Sequence, residues 1–268
     1  MADRVTLVME NGVADVRLNR PDKLNALDQA MFEALVETGR ALSTDRALRA
    51  VVLSGEGRSF CAGLDFASFM AMAGRENTAG PSLLTRTDDS PANFAQRAAW
   101  VWTEIPVPVI AAVHGVAFGG GLQIALAADI RIAAPDAQLS VMEIKWGLIP
   151  DMSGTQTLRR LVRLDVAKDL TFTGRVVSGS EAAELGLVTR VADVPRAAAL
   201  AMARAIAEKS PDAIRAGKRL LDQSVRLSVE DGLHLEERTQ LNLIGSANQL
   251  EAVQANMQKR APDFRDPV

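Results

Sequence analysis

Two short runs of aliphatic residues, each leading into a glycine-rich segment, restrict the fold more than any other feature of the chain. The first is Ala50-Val51-Val52-Leu53, followed by Ser54-Gly55 and then Ser59-Phe60-Cys61-Ala62-Gly63-Leu64-Asp65. The second is Val109 to Val113, followed by His114-Gly115-Val116-Ala117-Phe118-Gly119-Gly120-Gly121. Neither run alternates polar with apolar residues, so each is expected to be a strand covered on both faces, as in parallel sheets. Ile130 to Ala133 reads as a third such strand.

The intervening chain agrees. Val5, Leu7 and Met9 alternate, Asn11-Gly12 suits a type I′ turn, and Val13 to Leu18 returns, which predicts an N-terminal hairpin. Asp28 is placed to cap a helix carrying Met31, Phe32, Leu35, Val36 and Leu42 on one face. Ser90-Pro91 is expected to open a helix with Phe94, Ala98, Val101 and Trp102 at helical spacing. Ser178 and Glu181 are spaced as a capping box before a helix that Gly186 ends. From Pro195 the patterns are helical only: an Ala-rich stretch, then Ile214 to Val225, Val229 to Ile244, and a last helix with Leu250, Val253 and Met257. The expected organisation is an α/β core over residues 1–194 and a helical C-terminal region over residues 195–268. The stretch 73–90, with its Gly, Asn, Thr and Asp residues, reads as a long loop of the kind that is functional or disordered.

Composition then limits the chemistry. The chain has two histidines, His114 and His234, one cysteine and no tyrosine. No disulfide framework and no Cys-rich or His-based metal centre is expected from that set. Thirty basic against 33 acidic residues, a net charge of −3, argues against a dedicated nucleic-acid surface. The apolar run Val107 to Val113 is interrupted by Pro108 and is too short to span a bilayer. Asp3, Arg4 and Glu10 surround the early apolar stretch, so no signal peptide is visible and a cytoplasmic location is expected. Carboxylates, amides and the backbone are left to do the chemistry.

A helix beginning at a glycine turn presents unpaired N–H groups and the positive end of its dipole, and glycine lets a ligand approach closely. Gly119 to Gly121 could equally serve tight helix–strand packing. A dinucleotide site fits poorly because the G-x-G-x-x-G spacing is absent, and a P-loop lacks its Gly-Lys-Ser/Thr. Two such turns in one chain suit a different task, one N–H each to a single oxygen, which is an oxyanion hole.

On its motifs the chain resembles the crotonase superfamily, the enoyl-CoA hydratases and isomerases, along nearly its whole length. The resemblance rests on Leu18-Asn19-Arg20-Pro21-Asp22-Lys23-Leu24-Asn25-Ala26, on Phe60 to Asp65, and on His114-Gly115 with Gly119-Gly120-Gly121. It continues through Ala128-Asp129-Ile130-Arg131, Gly147-Leu148-Ile149-Pro150, Gly154-Thr155-Gln156 and Thr173-Gly174-Arg175. It implies a spiral of ββα units, a helical trimerisation region and an acyl-CoA thioester as ligand, with no cofactor beyond the substrate's own CoA. Carried over by position, the oxyanion donors are the backbone N–H groups of Leu64 and Gly120. CoA is expected along Lys23, Leu24, Ala26, Ala62 and Asp65. Lys23, Lys259 and Arg260 are candidates for its phosphates, or are ordinary solvated charges.

Hydratases that the chain resembles use two glutamates. The first would stand at Gln123, and an amide cannot exchange a proton at neutral pH. The second is present as Glu143, among the apolar residues Val141, Met142, Ile144 and Trp146, where a carboxyl pKa is expected to rise. The resembling enoyl-CoA isomerases keep the acid at Glu143, and one shuttle facing C2 and C4 suffices to move a double bond. Asp151 matches an aspartate of dienoyl-CoA isomerases that works with the glutamate, although those enzymes also carry an acid where Gln123 stands. Otherwise Asp151 caps the helix that starts near Ser153. Isomerisation is therefore expected ahead of hydration, with Gln123 orienting a water or the thioester. The rival is an acyl-CoA-binding relative without turnover; an RNA-binding role is disfavoured by the acidic balance. His114 is expected to pack beneath the glycine turn and Cys61 to be a buried, unreactive thiol. Trp100, Trp102 and Trp146 are expected in the core or the acyl-pocket wall.

Overall fold

The computed structural model describes residues 3–67, 70, 83–86 and 90–267, so most of the 73–90 stretch lies outside the described residues. Strands β1 (Val5–Glu10) and β2 (Val13–Leu18) form the expected hairpin, in register from Val5 opposite Leu18 to Glu10 opposite Val13. Asn11 and Gly12 both sit at positive φ, 49° and 76°, as the type I′ turn requires. Parallel strands β3 (Ala50–Gly55) and β4 (Val109–Val113) follow. A small second sheet contains β5 (Val116–Phe118), β7 (Gln138–Ser140) and β8 (Val177–Ser178). With β6 (Ile130–Ala133) and β9 (Arg190–Val191), the main sheet runs β1-β2-β3-β4-β6-β9.

The helices are α1 (Gln29–Thr44), α2 (Phe94–Glu104), α3 (Gly120–Leu126), α4 (Gly154–Leu161), α5 (Leu164–Thr173) and α6 (Gly179–Leu185). The helical C-terminal stretch supplies α7 (Pro195–Ala207), α8 (Pro211–Ser224), α9 (Val229–Leu243) and α10 (Ala247–Gln258). The two faces of the main sheet explain why its strands do not alternate. Val51, Leu53, Val109, Ala111 and Val113 enter the large core with α1 and α2, whereas Ala50, Val52, Ile110, Ala112 and Ile132 pack on Ala199 and Ala203 of α7. Alanines four apart on α7 let that helix lie close to the sheet. Each Val or Leu buried this way contributes about 1.5–3 kcal/mol.

The start of one helix and the cap of another differ from the sequence expectation. Helix α2 begins at Phe94 rather than after Ser90-Pro91, because Asn93 and Gln96 cap it reciprocally, each side chain accepting from the other's backbone N–H at 2.9 Å. At α6 only half the capping box forms. Ser178 Oγ accepts from the Glu181 N–H at 3.1 Å, but the Glu181 carboxylate turns to Arg175. Among the described residues no helix is long and apolar enough to cross a membrane.

Candidate active site

The two glycine segments come together in space. Cys61 bridges to Ala117 and Leu64 to Leu27, both in parallel fashion. Gly63 has φ +86°, and a Cβ there would lie 2.6 Å from the Phe118 carbonyl oxygen and 3.6 Å from the Gly120 nitrogen. Only glycine allows both that backbone conformation and that approach. Leu64 and Gly120 thereby line one cavity of about 490 Å³. Among the described residues, neither amide donates to a backbone carbonyl. Both readings of the glycine triplet hold at different positions. A Cβ at Gly121 would meet the Cys61 carbonyl oxygen at 2.4 Å, so that glycine serves packing, while Gly119 and Gly120 face the cavity.

The loop before α1 is stapled to this wall. Asn25 is fully buried; its Nδ2 donates to the carbonyls of Glu56 (2.9 Å) and Ser59 (2.8 Å), and its Oδ1 accepts from the Arg20 N–H (2.8 Å). Leu24 and Asn25 both hold positive φ, 50° and 56°. That conformation costs a non-glycine residue about 1–3 kcal/mol, which these hydrogen bonds must offset. The Ala62 N–H donates to the Leu24 carbonyl at 2.9 Å and the Leu27 N–H to the Gly63 carbonyl at 2.8 Å. Arg20 pairs with Asp65 at 2.8 Å. Of the residues expected along CoA, Ala62 lines the cavity. Leu24 and Asp65 tie the loop to the wall, Lys23 is exposed at the end of the 3-10 turn Pro21–Lys23, and Ala26 is half-buried. At the far end of the chain Lys259 is exposed, and Arg260 spends its guanidinium on Glu251. The motifs contain Arg20, Asn25 and Asp65, but nothing local in the sequence announced the bonds that Asn25 makes or the Arg20–Asp65 pair.

The opposite wall carries side-chain chemistry. The 3-10 turn Met142–Trp146 places the Glu143 carboxyl, 8% exposed, against Gly119. Gln123 Nε2 donates to Glu143 Oε1 at 2.5 Å, and Gln123 Oε1 accepts from the N–H groups of Met152 and Gly154, both at 2.8 Å. Glu143 Oε2 is buried and, among the described residues, has no hydrogen-bond partner. Burial pushes the Glu143 carboxyl above its ordinary range; its own backbone N–H and, less strongly, the Gln123 hydrogen bond work against this, and the negative charge of Asp151 adds to it. Asp151 also lines the cavity, and desolvation raises its carboxyl as well, even though much of the residue is open to solvent. Asp151 does not cap α4. The cap position is Ser153, at φ 71° and without a side-chain cap bond.

Residues 8–267 match the sequence model of the family described as Enoyl-CoA hydratase/isomerase. The chain belongs to the enoyl-CoA hydratase/isomerase family. It is 35% identical over 269 residues to a probable enoyl-CoA hydratase of Bacillus subtilis (strain 168), covering 97% of this chain and 98% of that one. It is also 35% identical to the mitochondrial enoyl-CoA hydratase domain-containing protein 2 of Mus musculus, over 94% of this chain and 84% of that protein. The crystal structure of a putative enoyl-CoA hydratase from Streptomyces coelicolor A3(2) superposes with a TM-score of 0.87 at 35% identity, covering 98% of this chain and 94% of that chain. The α/β fold is thus the crotonase fold anticipated from the motifs.

The remaining residues fall into place within this family member. Trp146 lines the cavity and stacks on Phe66 with ring centroids 4.0 Å apart. Trp102 is core, its Nε1 donating to the Ala98 carbonyl at 3.0 Å. Trp100 lines an adjoining hollow of about 370 Å³ that shares Asp151 with the first. Burial pushes the Cys61 thiol up to about 12, and its S–H donates to the Asn25 carbonyl, so it is no nucleophile. His114 Nε2 lies 3.0 Å from the Gly57 carbonyl, bracing the first glycine segment. A larger hollow of about 860 Å³, between residues 103–106 and the C-terminal helices, contains Asp212, Arg215, Lys218 and Asp222 and none of the cavity residues above.

Proposed function

We propose that this enoyl-CoA hydratase/isomerase family member moves a double bond along an acyl-CoA thioester, from 3-enoyl or 3,5-dienoyl to 2-enoyl or 2,4-dienoyl. In this reading the Leu64 and Gly120 N–H groups hold the thioester oxygen and stabilise the enolate. Glu143 removes the C2 proton as its carboxylate. The resulting carboxylic acid, or Asp151 acting with it, returns a proton to the far end of the conjugated system. Atoms balance, because one proton leaves carbon and one returns, and no bound cofactor is needed. CoA itself would run along Lys23, Leu24, Ala26, Ala62 and Asp65.

The observation that carries the reading is the identity of the polar groups around the cavity. Among the described residues two carboxyls, Glu143 and Asp151, line it, each pushed up by burial, and the remaining amide or carboxyl side chain is Gln123, which cannot exchange a proton. Hydration of 2-enoyl-CoA by one glutamate is the second reading, favoured by the hydratase names of the relatives. Turnover tests on 2-enoyl-, 3-enoyl- and 3,5-dienoyl-CoA separate the two. Faster conversion of a 3-enoyl or 3,5-dienoyl substrate supports isomerisation, whereas robust hydration of 2-enoyl-CoA overturns it, and tight acyl-CoA binding with no turnover would mark a binding protein. Exposed Leu221, Leu233, Leu241, Ile244, Val253 and Met257 on the C-terminal helices fit the trimer or dimer of trimers that the family resemblance implies. The mass in solution tests that assembly.

A further inference from the structure

The amide at position 123 is not an idle replacement for an acid. Its oxygen is saturated by two backbone donors, Met152 N–H and Gly154 N–H, so its NH2 group has to face Glu143. Three features of this chain build that anchor. Ser153, between the two donors, takes a left-handed backbone at φ 71°, which turns both N–H groups toward one point. Position 154 is glycine, where a Cβ would press to 2.6 Å on Gln123 Oε1. Gln123 itself is 2% exposed, on a helix buried along its whole length.

We infer that Gln123 is a positioning residue that clamps Glu143 Oε1, favouring the charged carboxylate and leaving the buried Oε2 as the oxygen without a hydrogen-bond partner among the described residues. The inference rests on the reading that Glu143 is the working base. A donor to Oε1 stabilises the charged carboxylate, and the saturated amide oxygen leaves Gln123 no acceptor with which to hold a water. The clamp also links the acid to the segment that carries Asp151, because the backbone donors on Gln123 Oε1 follow Asp151 directly. An acid in place of Gln123 would accept the same two N–H groups but set an oxygen 2.5 Å from Glu143 Oε1, where two carboxylates must share a proton. The charged group facing Glu143 from the neighbouring segment is Asp151, and Lys145 on its own turn lies over the Trp146 ring.

The test is a carboxyl titration of Glu143 in the intact, ligand-free protein, by 13C NMR with glutamate labelling assigned through Glu143→Gln. Gln123→Leu should move the Glu143 midpoint to higher pH. In turnover, the loss of kcat/KM at pH 6 should exceed the loss at pH 9 by roughly ten-fold, since a bond to a charged group is worth more than one decade. A role confined to packing would lower the rate equally at both pH values and leave the midpoint in place, and that result overturns the clamp. If Gln123→Leu does not fold, Gln123→Glu decides: two well-separated carboxyl steps support the contact, and two ordinary carboxyl midpoints overturn it. The titration needs no substrate, so an enzyme inactive on every enoyl-CoA would refute the proposed reaction while leaving the clamp to be judged on its own.

Discussion

The two walls of the cavity are made of different material. Leu64 and Gly120 offer backbone N–H groups, while the amides of Cys61, Ala62, Asp65 and Gly119 are already bonded. The aim of the two offered groups is set by Gly63, by the buried Asn25 and by the Arg20–Asp65 pair. Gln123, Glu143 and Asp151 offer side chains, whose identity is the chemistry. A backbone donor survives the loss of its own side chain but not a change of conformation. A carboxyl survives small conformational shifts but not replacement by its amide. In the proposed reaction, activating the thioester and moving the proton would therefore be separable tasks, and substitutions on each wall should fail in different ways.

The largest effect is expected from the side-chain wall. Glu143→Gln, which keeps the shape, should lower kcat by about 10³-fold with little change in KM, as read in steady-state kinetics. Full activity of this variant on every enoyl-CoA would remove Glu143 from the mechanism. Next comes the backbone wall. Gly63→Ala forces a Cβ onto the Phe118 carbonyl oxygen and should cost about 10²–10³-fold in kcat by swinging the Leu64 amide away. Leu64→Ala retains that amide and should lose less than about ten-fold. Equal losses in the two variants would break the distinction between the walls.

Asp151→Asn should cost about 10²-fold on a 3,5-dienoyl substrate, the low end for a proton-transfer group. It should also move the pH profile in a set direction. In the proposed reaction Glu143 would act as a carboxylate, and burial with the charge of Asp151 holds its pKa above the usual range, so activity should rise with pH through that raised value. Removing the Asp151 charge lowers the Glu143 pKa and carries the acid limb to lower pH. Movement to higher pH would contradict the coupling. The smallest effect is expected from Trp146→Leu, which removes the stack on Phe66. An aromatic contact worth about 0.5–1.5 kcal/mol should change KM for long acyl chains by no more than about ten-fold.

Much of this layout was legible in the sequence, and what was not has identifiable reasons. Strands β3, β4 and β6 were readable because burial on two faces erases alternation, and the Asn11-Gly12 hairpin because its turn has a local signature. The sheet of β5, β7 and β8 was not, since strands of three, three and two residues carry no period and exist through distant partners. The start of α2 was misplaced because Ser90-Pro91 mimics a helix entry while the reciprocal Asn93–Gln96 cap holds the true one. At the site, the motifs pointed to Gln123, Glu143 and Asp151 by position. The anchoring of Gln123 was hidden, because it depends on a left-handed Ser153 that no propensity predicts. Asn25 and Arg20 act on segments far along the chain, so their neighbours in sequence say nothing of their work.

The separation of the two walls is tested most directly by the infrared band of the thioester carbonyl in a bound, unreactive saturated acyl-CoA labelled with 13C at C1. Two N–H donors on the oxygen should shift the band to lower frequency relative to free ligand, and by the same amount in wild type and in the inactive Glu143→Gln. A carbonyl band unshifted in the wild type, or a shift lost with Glu143→Gln, would contradict the account.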